Sequence, residues 1–213
     1  MDDLSEVIRS ERVAFIGFLE ALTETEWAAP SLCAGWSVQD VAAHLAFAPA
    51  IGPGQSIVGL ARAGLRINRF IADSARRAAR RGTEAILRQL RANAATGARQ
   101  VGMPQPAVLT DAVVHPLDAR RPLESHRHVP TEAFGPVAEL LAHTRWPASL
   151  VLGGSGHHRI RGLRLVADDQ DWTHGHGPEV HGSGETILLA LAGRPVDPGE
   201  LRGEGAATLL ARA

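Results

Sequence analysis

The chain has 213 residues, 45% of them hydrophobic, and a formal net charge of −1. That is enough to bury a sizeable core in one full domain plus a small second one, and the charge balance argues against a general polyanion binder. Apolar runs all fall short of the ~20 residues of a membrane span, the acidic start Met1-Asp2-Asp3 is unlike a signal peptide, and Cys33, the one cysteine, allows no internal disulfide. A reducing, cytoplasmic setting is the expectation. All 22 basic residues are Arg and Tyr is absent, a composition that suggests a GC-rich coding genome such as an actinobacterium's.

Residues 3–21 carry Leu4, Val7, Ile8, Phe15, Phe18 and Leu19 at helical spacing. Thr23 to Glu26 breaks that pattern, and Pro30 to Gly35 reads as a loop. Ser37 followed three residues on by Asp40 has the form of a capping box. The helix it starts turns Val38, Val41, Ala42 and Leu45 inward and carries His44 close to that face. Pro53-Gly54 marks a break, residues 56–81 read as one basic helix, and Thr83 as the cap of the next, through Ile86, Leu87 and Leu90. After a loop at Gly102–Pro106, residues 107–115 resume a helical pattern. Pro116 cannot donate to the carbonyl four residues back, so this helix is expected to kink or end just after His115. Glu132 to Arg145 gives one more helix. The texture changes near residue 150: Gly153-Gly154-Ser155-Gly156 is flexible, Leu163, Leu165 and Ala167 alternate as in a strand, a short strand fits 179–181, and a helix fits 184–192. The expected fold is mainly α: a four-helix bundle over residues 1–150, followed by a small α+β region over 158–213.

Asp111 and His115 stand four residues apart, so on a helix they share a face and can share a metal ion. Two ligands are too few, and His44, on the apolar side of another helix, is the best candidate for a third. Three protein ligands leave positions open for water or substrate, as in a catalytic site. By spacing alone, the commoner reading is a surface pair for Asp111 and His115 and a hydrogen-bonded core residue for His44.

Three stretches bear on that choice. Cys33-x-Gly35-Trp36-Ser37-x-x-Asp40-x-x-x-His44 is the first, and Asp111-x-x-x-His115-x-x-Asp118-x-Arg120-Arg121-Pro122-Leu123 the second. The third runs Ala167-x-Asp169-x-x-Trp172-x-x-Gly175-x-Gly177-Pro178-x-Val180-x-Gly182, with Gly193-Arg194 after it. In this order, across nearly the whole chain, they resemble the mycothiol-dependent maleylpyruvate isomerase family of DinB-like metal-binding helical bundles. The resemblance implies one divalent metal, zinc by preference, on His44, Asp111 and His115. Asp111 is a methylene shorter than the Glu of some members. It also implies mycothiol as thiol cosubstrate and a small electrophilic substrate. The implied function is a metal-dependent thiol transferase or isomerase; the alternative is a non-catalytic, stress-related metal-binding protein of the same fold.

Cys33 reads as a small buried residue beside Trp36 in preference to a nucleophile, for which only the following helix N-terminus offers activation, and Trp36 as a packing residue or a wall of the substrate pocket. Asp118 either orients His115 as a hydrogen-bond acceptor or pairs with Arg120 or Arg121 at a helix end. Arg120 and Arg121 either clamp a carboxylate of thiol or substrate or complement a helix C-terminus. Seven arginines between 62 and 81 face one acid, Asp73. Phe70 is the one aromatic among them, so a solvated helix face outranks a nucleic-acid surface. His157, His158, His174, His176 and His181 read as loop histidines.

Overall fold

The computed structural model describes residues 4–212; the acidic start, Met1 to Asp3, lies outside the described residues. The chain divides into two compact units, Met1–Ser125 and His126–Ala213, where the sequence suggested a change near residue 150.

Seven helices make the first unit: α1 (Ser5–Glu20), α2 (Glu24–Ala28), α3 (Val38–Phe47), α4 (Pro53–Arg62), α5 (Ile67–Ala79), α6 (Thr83–Thr96) and α7 (Gln105–Arg120). Helices α1 and α3 each pack on both α6 and α7, which is the four-helix arrangement, and α5 packs on α3. Their shared core holds Phe15, Leu19, Val41, Ala42, Ile86 and Leu90, all nearly or fully buried.

Local signals explain where these helices depart from the sequence reading. Thr23 to Glu26 is itself a complete capping box that starts α2. The basic stretch is two helices, because Gly64 and Leu65 both take left-handed φ values, 65° and 61°, and a right-handed helix cannot pass through them. Thr83 is the first residue of α6, and its cap position is Gly82, whose φ of 85° suits glycine. Helix α7 does not end at His115 but runs through Pro116 to Arg120. An interior proline costs about 3 kcal/mol. Ten of the sixteen α7 residues are buried, Leu109, Val113 and Leu117 among them. At about 1.5–3 kcal/mol for each large aliphatic side chain, that burial outweighs the proline.

One buried amide fixes the end of α3 that carries His44. The Nδ2 of Asn93 donates to the Ala46 carbonyl at 2.7 Å, while its Oδ1 accepts from Gln89 at 2.9 Å. Arg12 on α1 closes the other end of this strut, donating to the carbonyls of Asn93 in the last turn of α6 and of Ala98 just after it.

The second unit contains α8 (Thr131–His143), α9 (Gly156–Arg159), β1 (Arg164–Ala167), β2 (Trp172–Gly175), β3 (Glu179–Gly182), α10 (Gly184–Leu191) and α11 (Ala206–Leu210). Helix α8 belongs here because it packs on α9 and α10. The sheet order is β2-β1-β3, with Leu165 opposite His174 in the antiparallel pair and opposite Val180 in the parallel pair. Strand β2 was not expected, and His174 and His181 sit on strands rather than in loops. The glycines of the third motif have a steric reason. A Cβ on Gly175 would collide with the Leu163 carbonyl, and one on Gly177 with that of Gly162. Trp172 meets Phe134 edge-on at 5.6 Å and donates to Glu139. Among the described residues, no helix is long and apolar enough to cross a membrane.

Asn93→Ala leaves the Ala46 carbonyl without its donor inside the core. Urea unfolding is expected to show a loss of about 1–3 kcal/mol, against less than about 0.5 kcal/mol for the exposed Thr96→Ala on the same helix.

Candidate metal centre

The loop from Pro30 to Ser37 is pinned to itself and to α7. Val38 N–H donates to the Ala29 carbonyl and Ser31 N–H to that of Trp36, while Leu32 N–H donates to the Asp118 carbonyl at 2.9 Å. The turn this requires passes through Gly35, with φ of 73°. Ser37 then caps α3: its hydroxyl accepts from Asp40 N–H, and the Asp40 carboxylate accepts from Ser37 N–H. His44 follows in the last turn of α3, facing α7.

Helix α7 carries Asp111, His115 and Asp118. His44, Asp111 and His115 each offer a ligand atom, and these atoms all lie within 4.8 Å of one another. The Nε2 of His115 is 3.9 Å from Asp111 Oδ1, and the rings of His44 and His115 meet edge-on with centroids 5.0 Å apart. Trp36 touches both, edge-on to His44 at 5.4 Å and stacked against His115 at 6.3 Å. Asp111 and His115, paired by their spacing, and His44, the candidate third ligand from another helix, are therefore neighbours in space, with Trp36 against both rings.

The other face of His115 is equally built. Its Nδ1 is 3.0 Å from Oδ2 of Asp118, whose side chain is fully buried. Cys33 Sγ donates to the same oxygen at 3.0 Å and lies 3.8 Å from His115 Nδ1. Asp118 is within hydrogen-bond distance of His115, as one of its two readings expects. Cys33 is partly exposed and sits against this pair, a contact that the reading of it as a packing residue missed. Arg120 is turned to α1: its guanidinium lies 4.1 Å over the Phe18 ring and donates to the Ala14 carbonyl. Arg121 opens a short 3-10 turn, Arg121–Leu123.

These surroundings set the protons. Burial, and then the neighbouring His115, pushes the pKa of His44 down to about 3, so this ring is neutral. Burial also pushes Asp111 up, against the pull of His115 and Arg12. Burial would lower His115 as well, but its hydrogen bonds to Asp118 and Cys33 outweigh that and raise it to about 10. Asp118 faces its Nδ1 at 3.0 Å, and Asp111 lies 3.9 Å from its Nε2.

A small cavity of about 40 Å³ meets His44 and Asp111. That is room for more than one water. Arg12, Asn93, Arg99 and Gln100 line it on the polar side, and Phe15, Leu45, Leu90 and Val108 on the apolar side. Sequence reasoning missed Arg12 and Arg99 here; their position depends on how α1 and the end of α6 meet. The arginines of residues 62–81 are exposed, and Arg69 and Arg76 flank Asp73, as a solvated face does.

Residues 8–134 match the family model of the mycothiol maleylpyruvate isomerase N-terminal domain. In structure, the chain is similar to the crystal structure of the mycothiol-dependent maleylpyruvate isomerase. The TM-score is 0.55 at 15% identity, over 95% of this chain and 92% of that one. It is also similar to a histidine-to-alanine mutant of that enzyme, with a TM-score of 0.52, 14% identity and the same coverage. No curated protein matches the sequence.

Ser37 is the residue that starts the helix bearing His44. Ser37→Ala is expected to lower stability by about 1 kcal/mol, read as an earlier midpoint in chemical denaturation.

Proposed function

The chain belongs to the mycothiol maleylpyruvate isomerase N-terminal domain family, and from that premise we propose that it is a metal-dependent thiol enzyme. In this reading His44, Asp111 and His115 hold one divalent cation, zinc by preference, with mycothiol as thiol cosubstrate. The reaction is either transfer of the thiol to a small electrophile or cis–trans isomerisation of that electrophile.

The observation that carries the reading is the donor set itself. Two imidazoles and one carboxylate from two facing helices come within 4.8 Å of one another beside a cavity. Three ligands of this kind suit zinc and leave a coordination position open. The fit extends to charge. His44 is neutral and so has a lone pair to give. Asp111 Oδ1 lies 3.9 Å from His115 Nε2, and Asp118 Oδ2 lies 3.0 Å from His115 Nδ1. A cation on Nε2 would meet the carboxylate of Asp111, while Asp118 stays on the Nδ1 side of the ring.

Bound there, the cation supplies the positive charge that makes a thiol a thiolate at neutral pH. The remaining work falls to the chain. Asp118 keeps the proton on His115 Nδ1, which leaves the Nε2 lone pair directed at the side of Asp111 and His44. Trp36 fixes both rings by contact. The cavity holds only a few atoms, so it accepts the reacting end of a ligand, and its apolar wall keeps bulk water from the thiolate.

The test is elemental analysis and turnover on untagged protein. Wild type is expected to hold about one cation per chain and to consume an electrophile only when mycothiol is present. His44→Ala and His115→Ala are expected to lose the cation and at least about 100-fold in thiol-dependent rate, while staying helical by circular dichroism. A wild type that stays metal-free after incubation with zinc, nickel and manganese contradicts the proposal.

A further inference from the structure

A second set of three possible ligands lies on the far side of His115. We propose that Cys33, His115 Nδ1 and Asp118 form a separate, sulfur-containing site for a thiophilic cation such as Cd²⁺, and that its occupation excludes a cation from His44, Asp111 and His115.

The three donor atoms stand close to the spacing of a metal shell. Around a tetrahedral centre with bonds of about 2.0 Å to nitrogen and oxygen and about 2.3 Å to sulfur, the ligands stand roughly 3.3–3.6 Å from one another. Here the three separations are 3.0 Å from Cys33 Sγ to Asp118 Oδ2, 3.0 Å from Asp118 Oδ2 to His115 Nδ1, and 3.8 Å from Sγ to Nδ1. All three atoms fall within the 4.8 Å that also describes the first set. Shifts of a few tenths of an ångström close the shell. Access is from the loop side, since Cys33 and His115 are partly exposed while Asp118 is sealed. The donor types set the preference: a thiolate selects softer cations than two imidazoles and a carboxylate do.

The exclusion follows from the imidazole. A neutral ring has one lone pair, and its other nitrogen carries a proton. For the first set the pair must be on Nε2, with the Nδ1 proton held by Asp118. For the second it must be on Nδ1, with the proton on Nε2. A cation entering the second set releases two protons to solvent, one from the Cys33 thiol and one from Nδ1, and the ring then has nothing to offer His44 and Asp111. The second site rests on its own distances; only the exclusion rests on the proposed metal site.

Cys33 is the one cysteine of the chain, so a sulfur-to-metal charge-transfer band can come from no other thiol in it. Metal-stripped protein in thiol-free buffer is titrated with Co²⁺ and, separately, with Cd²⁺, following the near-ultraviolet absorption. The expected result is a charge-transfer band in wild type that persists in His44→Ala and is lost in Cys33→Ser, with circular dichroism unchanged throughout. Visible cobalt bands alone, with no charge-transfer band for either cation, overturn the site. A band that His44→Ala also abolishes overturns it too, because Cys33 would then be a fourth ligand of one common site. Cd²⁺ added to zinc-loaded wild type is expected to release the zinc, and to release none from Cys33→Ser. Zinc retained beside the new band overturns the exclusion. Failure of wild type to load zinc counts against the proposed metal site and leaves the cobalt result to decide this one.

Discussion

The carboxylate of Asp118 is fully buried in the last turn of α7. A charge in that position is tolerated only if donors surround it. Two such donors are His115 Nδ1 from one turn back and the Cys33 thiol from the loop before α3. Meeting that need fixes the His115 ring, ties the loop to α7, and decides which nitrogen is turned toward Asp111 and His44. The pairing of Leu32 N–H with the Asp118 carbonyl adds a backbone bond at the same place. One buried acid thus couples the start of α3 to the end of α7.

The helix ends and the strut between them do the positioning. The Ser37–Asp40 box starts α3 at a defined residue, and Asn93 holds its last carbonyls. His44 therefore sits on a helix restrained at both ends, facing an α7 that continues past Pro116 to Arg120. A helix ending at His115 would have lost Asp118, and with it the hydrogen bond that orients the ring. In the second unit, glycines at positions where a Cβ would strike a carbonyl let β1 and β2 close, and Trp172 ties β2 to α8 through Glu139 and Phe134.

Much of this was legible in the residues. Helical periodicity, the Ser37 box and the four-residue spacing of Asp111 and His115 are local signals, and the family resemblance agrees with the match over residues 8–134. What was not legible depended on tertiary context. Pro116 reads as a helix stop because sequence records the lost N–H but not the burial that offsets it. The assignment of α8 depends on what it packs against, and the glycine stretch near 153 gave no hint of that. Cys33 and Asp118 are 85 positions apart, so nothing in either neighbourhood reports their contact. Arg12 reaches the cavity from the first helix for the same reason. The left-handed pair at Gly64 and Leu65 defeats periodicity, since leucine rarely takes that conformation.

The proposed chemistry turns on one event, the arrival of a thiol sulfur at a cation held by two imidazoles and a carboxylate. X-ray absorption at the zinc edge reports it directly. The sample is the zinc-loaded Cys33→Ser chain, which carries no thiol of its own. The account predicts a shell of nitrogen and oxygen alone, into which mycothiol brings one sulfur at about 2.3 Å. A shell that stays unchanged under saturating mycothiol would contradict it.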